Sequence, residues 1–183
     1  MDITIREFDE NNFEHVNQID DTFIVNAKLR LHAENEKIVY TAVEVSSYEK
    51  RYPVETVDYT HYIRRPDKII FLAYIDSQIV GRIILRKNWN QYGYIEDLAV
   101  DTRHRKLGVG RRLITIAVAW AKAAQLPGLM LETQNTNVAA CRLYERCGFR
   151  LGGFDNYLYR GINRGPDEVA LYWYLFFDED RRA

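Results

Sequence analysis

The chain has 183 residues, 47% of them apolar and 28% charged, which is enough to build a core and is unlike a disordered segment. Lysine plus arginine number 25 against 26 aspartate plus glutamate, a formal net charge of −1 that argues against broad, non-specific nucleic-acid binding. The length suits one domain, read as 1–183. No apolar run is long enough to span a membrane, and Met1-Asp-Ile-Thr-Ile-Arg6 shows no basic segment leading into an apolar one, so neither a span nor a secretory signal is expected. On one helix, Cys141 and Cys147 would be separated by roughly 9 Å of rise, too far for a disulfide. No Cys/His cluster has zinc spacing. A reduced, cytoplasmic, metal-free domain is the expectation.

In chain order, Ile3 to Arg6 reads as a short strand. Phe13, Val16 and Ile19 recur at helical spacing and predict a helix over 10–20. Between 21 and 65 the signals are weaker: Val39, Thr41, Val43 and Val45 alternate as in a strand, and Thr56 to Arg64 reads as helical. Two apolar runs, Ile69 to Ile75 and Ile79 to Leu85, flank Asp76-Ser77-Gln78 and predict a hairpin. Tyr92 to Val100 adds a third strand and completes an antiparallel meander. From Gly108 the period becomes helical, with Val109, Leu113, Ile116, Ala117, Trp120 and Ala124 on one face. Pro127-Gly128 ends that helix, and Leu129-Met130-Leu131 reads as a buried strand. Asn137 to Cys147 predicts a second helix with Asn135 or Thr136 as N-cap and Gly148 after its end. Strands are expected from Phe149 and over Val169 to Phe177. The fold class is therefore α/β or α+β, with a mixed sheet.

The segment Tyr94-Ile-Glu-Asp-Leu-Ala-Val100, followed by Asp101-Thr-Arg-His-Arg-Lys-Leu-Gly-Val-Gly-Arg-Arg112, is the most informative. A strand ends, a basic loop follows, and two glycines open a long helix. The first amides of a helix lack internal partners and lie at the positive end of its dipole. Glycines let a bulky anion approach them closely, and Arg103, Arg105, Lys106, Arg111 and Arg112 add charge, so the segment could hold a pyrophosphate. Taken alone, the same residues also suit a tight turn with a solvated basic surface. Position 113 is Leu, and Gly-Lys is missing after the second glycine, so neither a dinucleotide fingerprint nor a P-loop is present.

Arg105-Lys-Leu-Gly108-Val-Gly110 resembles the Arg/Gln-x-x-Gly-x-Gly/Ala signature of the GNAT acetyltransferases. About 25 residues on, Leu131-Glu-Thr-x-x-Thr-Asn137-x-x-Ala140-x-x-x-Tyr144-x-x-x-Gly148-Phe149 resembles that family's second block. The match covers roughly residues 67–177. It implies the GNAT fold, with a mostly antiparallel central sheet flanked by helices, and acetyl-CoA-dependent N-acetylation without a metal. It further implies that backbone groups of Leu98, Ala99 and Val100 pair with the pantetheine arm. Amides of Arg105, Lys106, Leu107, Gly108, Val109, Gly110 and Arg111 would hold the pyrophosphate. Asn137 and Ala140 would flank the thiol end, with Tyr144 near the sulfur.

In such a site a neutral amine attacks the thioester directly, so the chemistry needs a proton acceptor for the amine and a proton donor for the thiolate. Tyr144 is the candidate acid; ordinary packing on a face with Ala140 and Cys147 is the competing role. Glu96 and Asp97 are the candidate base or amine anchor, expected on opposite faces of their strand, against the alternative of surface ion pairs. The stretches Gly152 to Gly161 and Glu168 to Tyr174 are similar to the C-terminal part of streptothricin acetyltransferases, as is Tyr-Ile-Glu-Asp-Leu-Ala-Val. The implied acceptor is a polycationic small molecule acetylated on a β-lysine amino group. Glu96, Asp97, Asp155, Tyr157 and Tyr159 are the candidates to meet it, with a sheet-face role as the alternative for the tyrosines. Another amine (an aminoglycoside, a polyamine or a protein lysine) or a non-catalytic acyl-CoA sensor are the competing functions. Because members of this family often pair through C-terminal strands, a homodimer through Tyr172-Trp173-Tyr174 is one expectation, and a core role for these residues the other.

Overall fold

The computed structural model describes residues 2–35, 37–51, 58–162 and 168–177. Its elements in chain order are β1 (Thr4–Glu7), β2 (Phe23–Glu34), β3 (Lys37–Lys50), β4 (Lys68–Ile75), β5 (Gln78–Lys87), β6 (Gly93–Val100), α1 (Val109–Ala123), β7 (Gly128–Gln134), α2 (Val138–Arg146), β8 (Arg150–Asp155) and β9 (Ala170–Phe176). They fall into two compact units. One comprises Met1–Phe23, Arg51–Leu129 and Phe177–Ala183, the other Ile24–Lys50 and Met130–Phe176. Strands and helices mix in both, and the strand pairs are mostly antiparallel, as expected.

In the first unit the strands lie in the order β1-β4-β5-β6, each pair antiparallel. The β4–β5 hairpin turns at Asp76 and Ser77, which take φ of +48° and +66°, the left-handed pair that matches strand twist. Ile70, Leu72, Val80, Ile83, Leu85 and Leu113 are essentially inaccessible. The buried stripe of α1 is Val109, Leu113, Ile114, Ala117 and Ala121, rotated from the expected face, so that Ile116 and Trp120 are half-buried and Ala124 is exposed. Small residues explain the rotation. A Cβ on Gly93 would lie 2.8 Å from Leu129, 3.2 Å from Trp120 and 3.4 Å from the Ala121 Cβ, so the helix packs where side chains are shortest.

The expected helix over 10–20 is absent; a single 3₁₀ turn, Phe13–His15, stands there. Asp9 and Asn12 side chains take the backbone hydrogen bonds instead: Asn12 Oδ1 accepts from the Asp9 amide at 3.0 Å, and Asp9 Oδ1 from the Asn11 amide at 2.8 Å. Val16 and Ile19 are still buried, so the apolar spacing marks the core but not the helix. Over Thr56 to Arg64 only a 3₁₀ turn, Tyr59–Tyr62, is seen, capped by Asp58; residues 56 and 57 lie outside the described residues.

In the second unit the order is β7-β9-β8, and β2 with β3 forms a separate two-stranded sheet. β3 matches the alternating valines, and β2, which was not among the expected strands, alternates strictly from Val25 to Glu34. The N-cap of α2 is Asn137, not Asn135 or Thr136. Asn135 instead stitches two distant segments together. Its Oδ1 accepts from the Val169 amide at 3.0 Å, and its Nδ2 donates to the Leu29 carbonyl at 3.1 Å. Gly148 takes φ of +90° and ends α2. Trp173 is buried and Tyr172 and Tyr174 are half-buried, so the C-terminal aromatics are mainly core. No helix among the described residues is long and apolar enough to cross a membrane.

Candidate active site

The loop after β6 is stapled from below. Asp101, almost wholly buried, accepts from the Arg103 amide at 3.1 Å and from its guanidinium at 3.1 and 3.2 Å, with His104 Nδ1 3.1 Å away. Hydrogen bonds from Arg103 outweigh burial and, with that from His104, pull the Asp101 carboxyl down to about 2. The Arg105 guanidinium donates to the Val100 and Asp21 carbonyls at 3.2 and 2.8 Å. Arg103 and Arg105 are therefore structural fasteners first, and besides Arg103 the exposed cations of the loop are Lys106, Arg111 and Arg112.

Lys106 and Gly108 take φ of +64° and +89°, and Gly108 is the N-cap of α1 with no side-chain cap. The first helical bond runs from the Arg112 amide to the Gly108 carbonyl at 3.0 Å, so the amides of Val109, Gly110 and Arg111 have no partner inside the helix. A Cβ at Gly108 would meet nothing within 4 Å, so the approach to these amides is open. Beneath them, a Cβ on Gly81 would lie 2.9 Å from Val109, which is why α1 can start this close to β5. Uncapped amides, a helix dipole and the exposed cations Lys106, Arg111 and Arg112 fit a diphosphate.

On β6, Leu98, Ala99 and Val100 pair in regular register with Ile83, Arg82 and Gly81. The register then shifts: Asp97 faces Ile84 and Ile95 faces Leu85, so Glu96 is the extra residue of a bulge. The bulge breaks the alternation that predicted opposite faces. Both carboxylates meet arginines four apart on β5: Arg82 Nε donates to Asp97 at 2.6 Å, and Arg86 Nε to Glu96 at 2.8 Å. Arg82 also donates to the Val16 carbonyl at 2.7 Å. The Tyr62 hydroxyl donates to the other Glu96 oxygen at 2.5 Å, and burial together with this bond raises the Tyr62 phenol well above its ordinary value. Burial also raises the Asp21 carboxyl, against the pull of Arg82.

In the second unit, Asn137 Oδ1 accepts from the Ala140 amide at 3.2 Å as the N-cap of α2. Tyr144 is buried one turn before the end of that helix, its ring 5.7 Å from Phe149 and 6.4 Å from Trp173. Tyr157 and Tyr159 lie in the turn region after β8, not in a strand, because Asp155 Oδ1 accepts from the Tyr157 and Leu158 amides at 2.6 and 3.1 Å and curls the chain. Tyr157 is exposed under the Arg160 guanidinium, 4.7 Å from its ring centre. Tyr159 is buried and its hydroxyl donates to Glu132 on β7. Burial first, then the charges of Glu132 and Asp155, raises the Tyr172 phenol.

Sequence reasoning missed Glu132 and Tyr62. Glu132 had a signal: a carboxylate inside the run Leu129 to Thr133 is as unusual as Glu96 in β6. Among the described residues no group of three His, Cys, Asp or Glu side chains gathers as metal ligands, and no disulfide joins Cys141 to Cys147.

A glycine-opened helix without a side-chain cap, following a bulged strand, defines a protein with a backbone-built anion site. The profile described as "Acetyltransferase (GNAT) family" matches residues 36–149, and the chain belongs to that family. It is an acetyl-CoA-dependent acyltransferase. The chain is similar to streptothricin acetyltransferase A of Bacillus subtilis, 37% identical over 91% of this chain and 95% of that one. It is similar also to a streptothricin acetyltransferase of Escherichia coli, 38% identical over 84% and 85%. Among solved structures it resembles a Bacillus anthracis protein provisionally named streptothricin acetyltransferase and bound to acetyl coenzyme A, with 52% identity, a TM-score of 0.91, and coverage of 96% of this chain and 100% of that one.

Proposed function

We propose that this chain inactivates streptothricin-type antibiotics in the cytoplasm, transferring the acetyl group of acetyl-CoA to an amino group of their β-lysine moiety. The observation that carries the reading is similarity to a streptothricin acetyltransferase across 91% of the chain, including the segments that the phosphate loop does not explain. The two compact units are read as parts of one domain, 1–183, because the family match runs through both.

In the proposed reaction acetyl-CoA supplies an activated acyl carbonyl and a thiolate leaving group. The amide-lined loop from Arg105 to Arg111 holds its diphosphate, backbone groups of Leu98 to Val100 align the pantetheine arm, and Asn137 and Ala140 border the thiol end. The amine nitrogen forms the new C–N bond as the C–S bond breaks. Glu96, paired with Arg86 and linked to the Tyr62 hydroxyl, anchors the ammonium and takes its proton. Asp97, which takes a shorter ion pair with Arg82, supports β6. The Tyr144 hydroxyl protonates the thiolate. Asp155, Tyr157 and Tyr159 supply the acidic and aromatic surroundings that a polycation favours.

Mass spectrometry of streptothricin incubated with the protein and acetyl-CoA tests this. A gain of one acetyl group, lost in Tyr144→Phe or Glu96→Gln, is the expected result. Turnover of other amines alone would retain the acetyltransferase and remove the substrate, and binding of acetyl-CoA without any turnover would make the chain a sensor.

A further inference from the structure

Glu96 stands at the bulge of β6, where no residue of β5 lies opposite to fix its direction. Two side-chain hydrogen bonds fix it instead, one to each carboxylate oxygen. Arg86 Nε donates to Oε1 at 2.8 Å, and the Tyr62 hydroxyl donates to Oε2 at 2.5 Å. Each donor is held from behind. The Arg86 guanidinium lies 4.7 Å from the Tyr94 ring centre and donates to the Oδ1 of buried Asn88 at 2.6 Å. Tyr62 closes the 3₁₀ turn Tyr59–Tyr62, whose first residue is buried in the core with Phe8, Val16 and Ile70. The Tyr62 ring is 6.3 Å from that of Tyr59 and 5.0 Å from the Lys68 ammonium.

All of these residues belong to the first unit. An ordinary surface ion pair needs a cation and nothing more, yet here a phenol from a separate, core-anchored turn is added to the same carboxylate. A carboxylate accepts at about four positions, so one donor on each oxygen restrains it and still leaves both oxygens able to accept from a guest. Arg86 has only donors. Burial first, and then the bond to Glu96, raises the Tyr62 phenol, so its hydroxyl keeps its proton and acts toward Glu96 as a donor. Of the three groups, Glu96 is therefore the one that can take a proton from an ammonium.

We propose that Tyr62 is a positioning residue for acetyl transfer, its hydroxyl holding the Glu96 carboxylate in the one orientation that meets the acceptor amine; this rests on the reading of Glu96 above as amine anchor and base. Arg86, steadied by Asn88, holds the other oxygen. Glu96 takes one proton from the ammonium, the freed amine attacks, and Tyr62 gives up no proton. The carboxylate is thus aimed by the turn before β4 and by β5, because the bulge removes the aim that its own strand would give.

The test measures kcat/KM for streptothricin in wild type, Tyr62→Phe and Glu96→Gln from about pH 7 to about pH 10, the range over which an alkyl ammonium begins to lose its proton unaided. Tyr62→Phe keeps the ring beside Tyr59 and Lys68, so its melting temperature is expected to match wild type. At about pH 7 its kcat/KM is expected to fall about tenfold, with the acetyl-CoA KM unchanged. That deficit is expected to shrink as pH rises, in parallel with the larger deficit of Glu96→Gln, because an amine that is already neutral needs no base. Arg86→Lys, which cannot reach Glu96 and Asn88 with one planar group, is expected to follow the same trend. A Tyr62→Phe deficit under about twofold, or one that stays constant with pH, leaves Tyr62 a packing residue and overturns the proposal. Wild-type turnover in Glu96→Gln overturns the reading of Glu96, and the role of Tyr62 with it. Wild-type protein that leaves streptothricin unmodified overturns the acceptor reading on which both rest.

Discussion

Residues 100–112 and the Lys50–Thr136–Glu168 cluster both gather polar groups, yet they are built from opposite materials. The loop offers backbone amides, aimed by Gly108 at φ +89° and by a helix start, with side chains of Asp101, Arg103 and Arg105 acting underneath as fasteners. The cluster centres on a side-chain carboxylate oxygen, held in place by two other side chains. A backbone-built site should tolerate loss of its side-chain cations and fail when a glycine is replaced. A side-chain-built site should do the reverse.

Tyr144 gives the largest expected effect and tests whether the second unit contributes chemistry as well as shape. Tyr144→Phe keeps the ring against Phe149 and Trp173, so the fold should survive. If the hydroxyl is the acid, kcat falls by about 100-fold or more. A kcat within about twofold of wild type, well under the usual worth of a positioned acid, would reduce Tyr144 to packing.

Gly81 and Gly108 come next. A methyl at Gly81 meets Val109 at 2.9 Å and the Ala99 carbonyl at 3.0 Å, so Gly81→Ala forces α1 away from β5 and should destabilise the fold by about 2 kcal/mol. Thermal melting should read this as a fall of several degrees. Gly108→Ala meets no neighbour, and its cost is the left-handed backbone alone, about 1 kcal/mol. That strain is predicted to raise the acetyl-CoA KM several-fold, whereas Lys106→Ala, an exposed side chain, should change it by only about twofold. A larger effect from Lys106 than from Gly108 would break the contrast, since the loop would then act through its charges.

The same contrast explains what was legible in the sequence. The loop is contiguous, and its parts are marked by residue type: a strand, basic residues, two glycines, a helical period. The meander was equally plain, because Ile69 to Leu85 fixes both strands and their turn locally. The polar contacts of the second unit were not plain. Glu168 meets Lys50 across 118 positions and Tyr159 meets Glu132 across 27, and no local spacing encodes either contact. Glu96 was singled out by its place in a strand, but not its geometry. One bulge set it beside Asp97 on arginines of β5, and a bulge leaves no signature in an alternating run. The helix expected over 10–20 failed for a local reason that was visible: Asp9, Asn11 and Asn12 are residues whose side chains compete for backbone hydrogen bonds.

Asp101 carries the smallest dependence on conditions near working pH, and the contrast gives its effect a sign. Its carboxyl is held at about 2, against an ordinary 3.8, chiefly by Arg103 and then by His104. A depressed carboxyl adds stability that is fully present above the unfolded value and is lost as pH falls through the folded one. Stability should therefore not respond to Asp101 above about pH 4 and should decline between about pH 4 and pH 2 as the unfolded chain takes up the proton first. Asp101→Asn cannot titrate, so its melting temperature should be lower than wild type at neutral pH and approach it toward pH 2. Parallel melting curves for the two proteins across that window would mean that Asp101 does not fasten the loop. The first amides of α1 would then owe their placement to Gly108 and Arg105 alone.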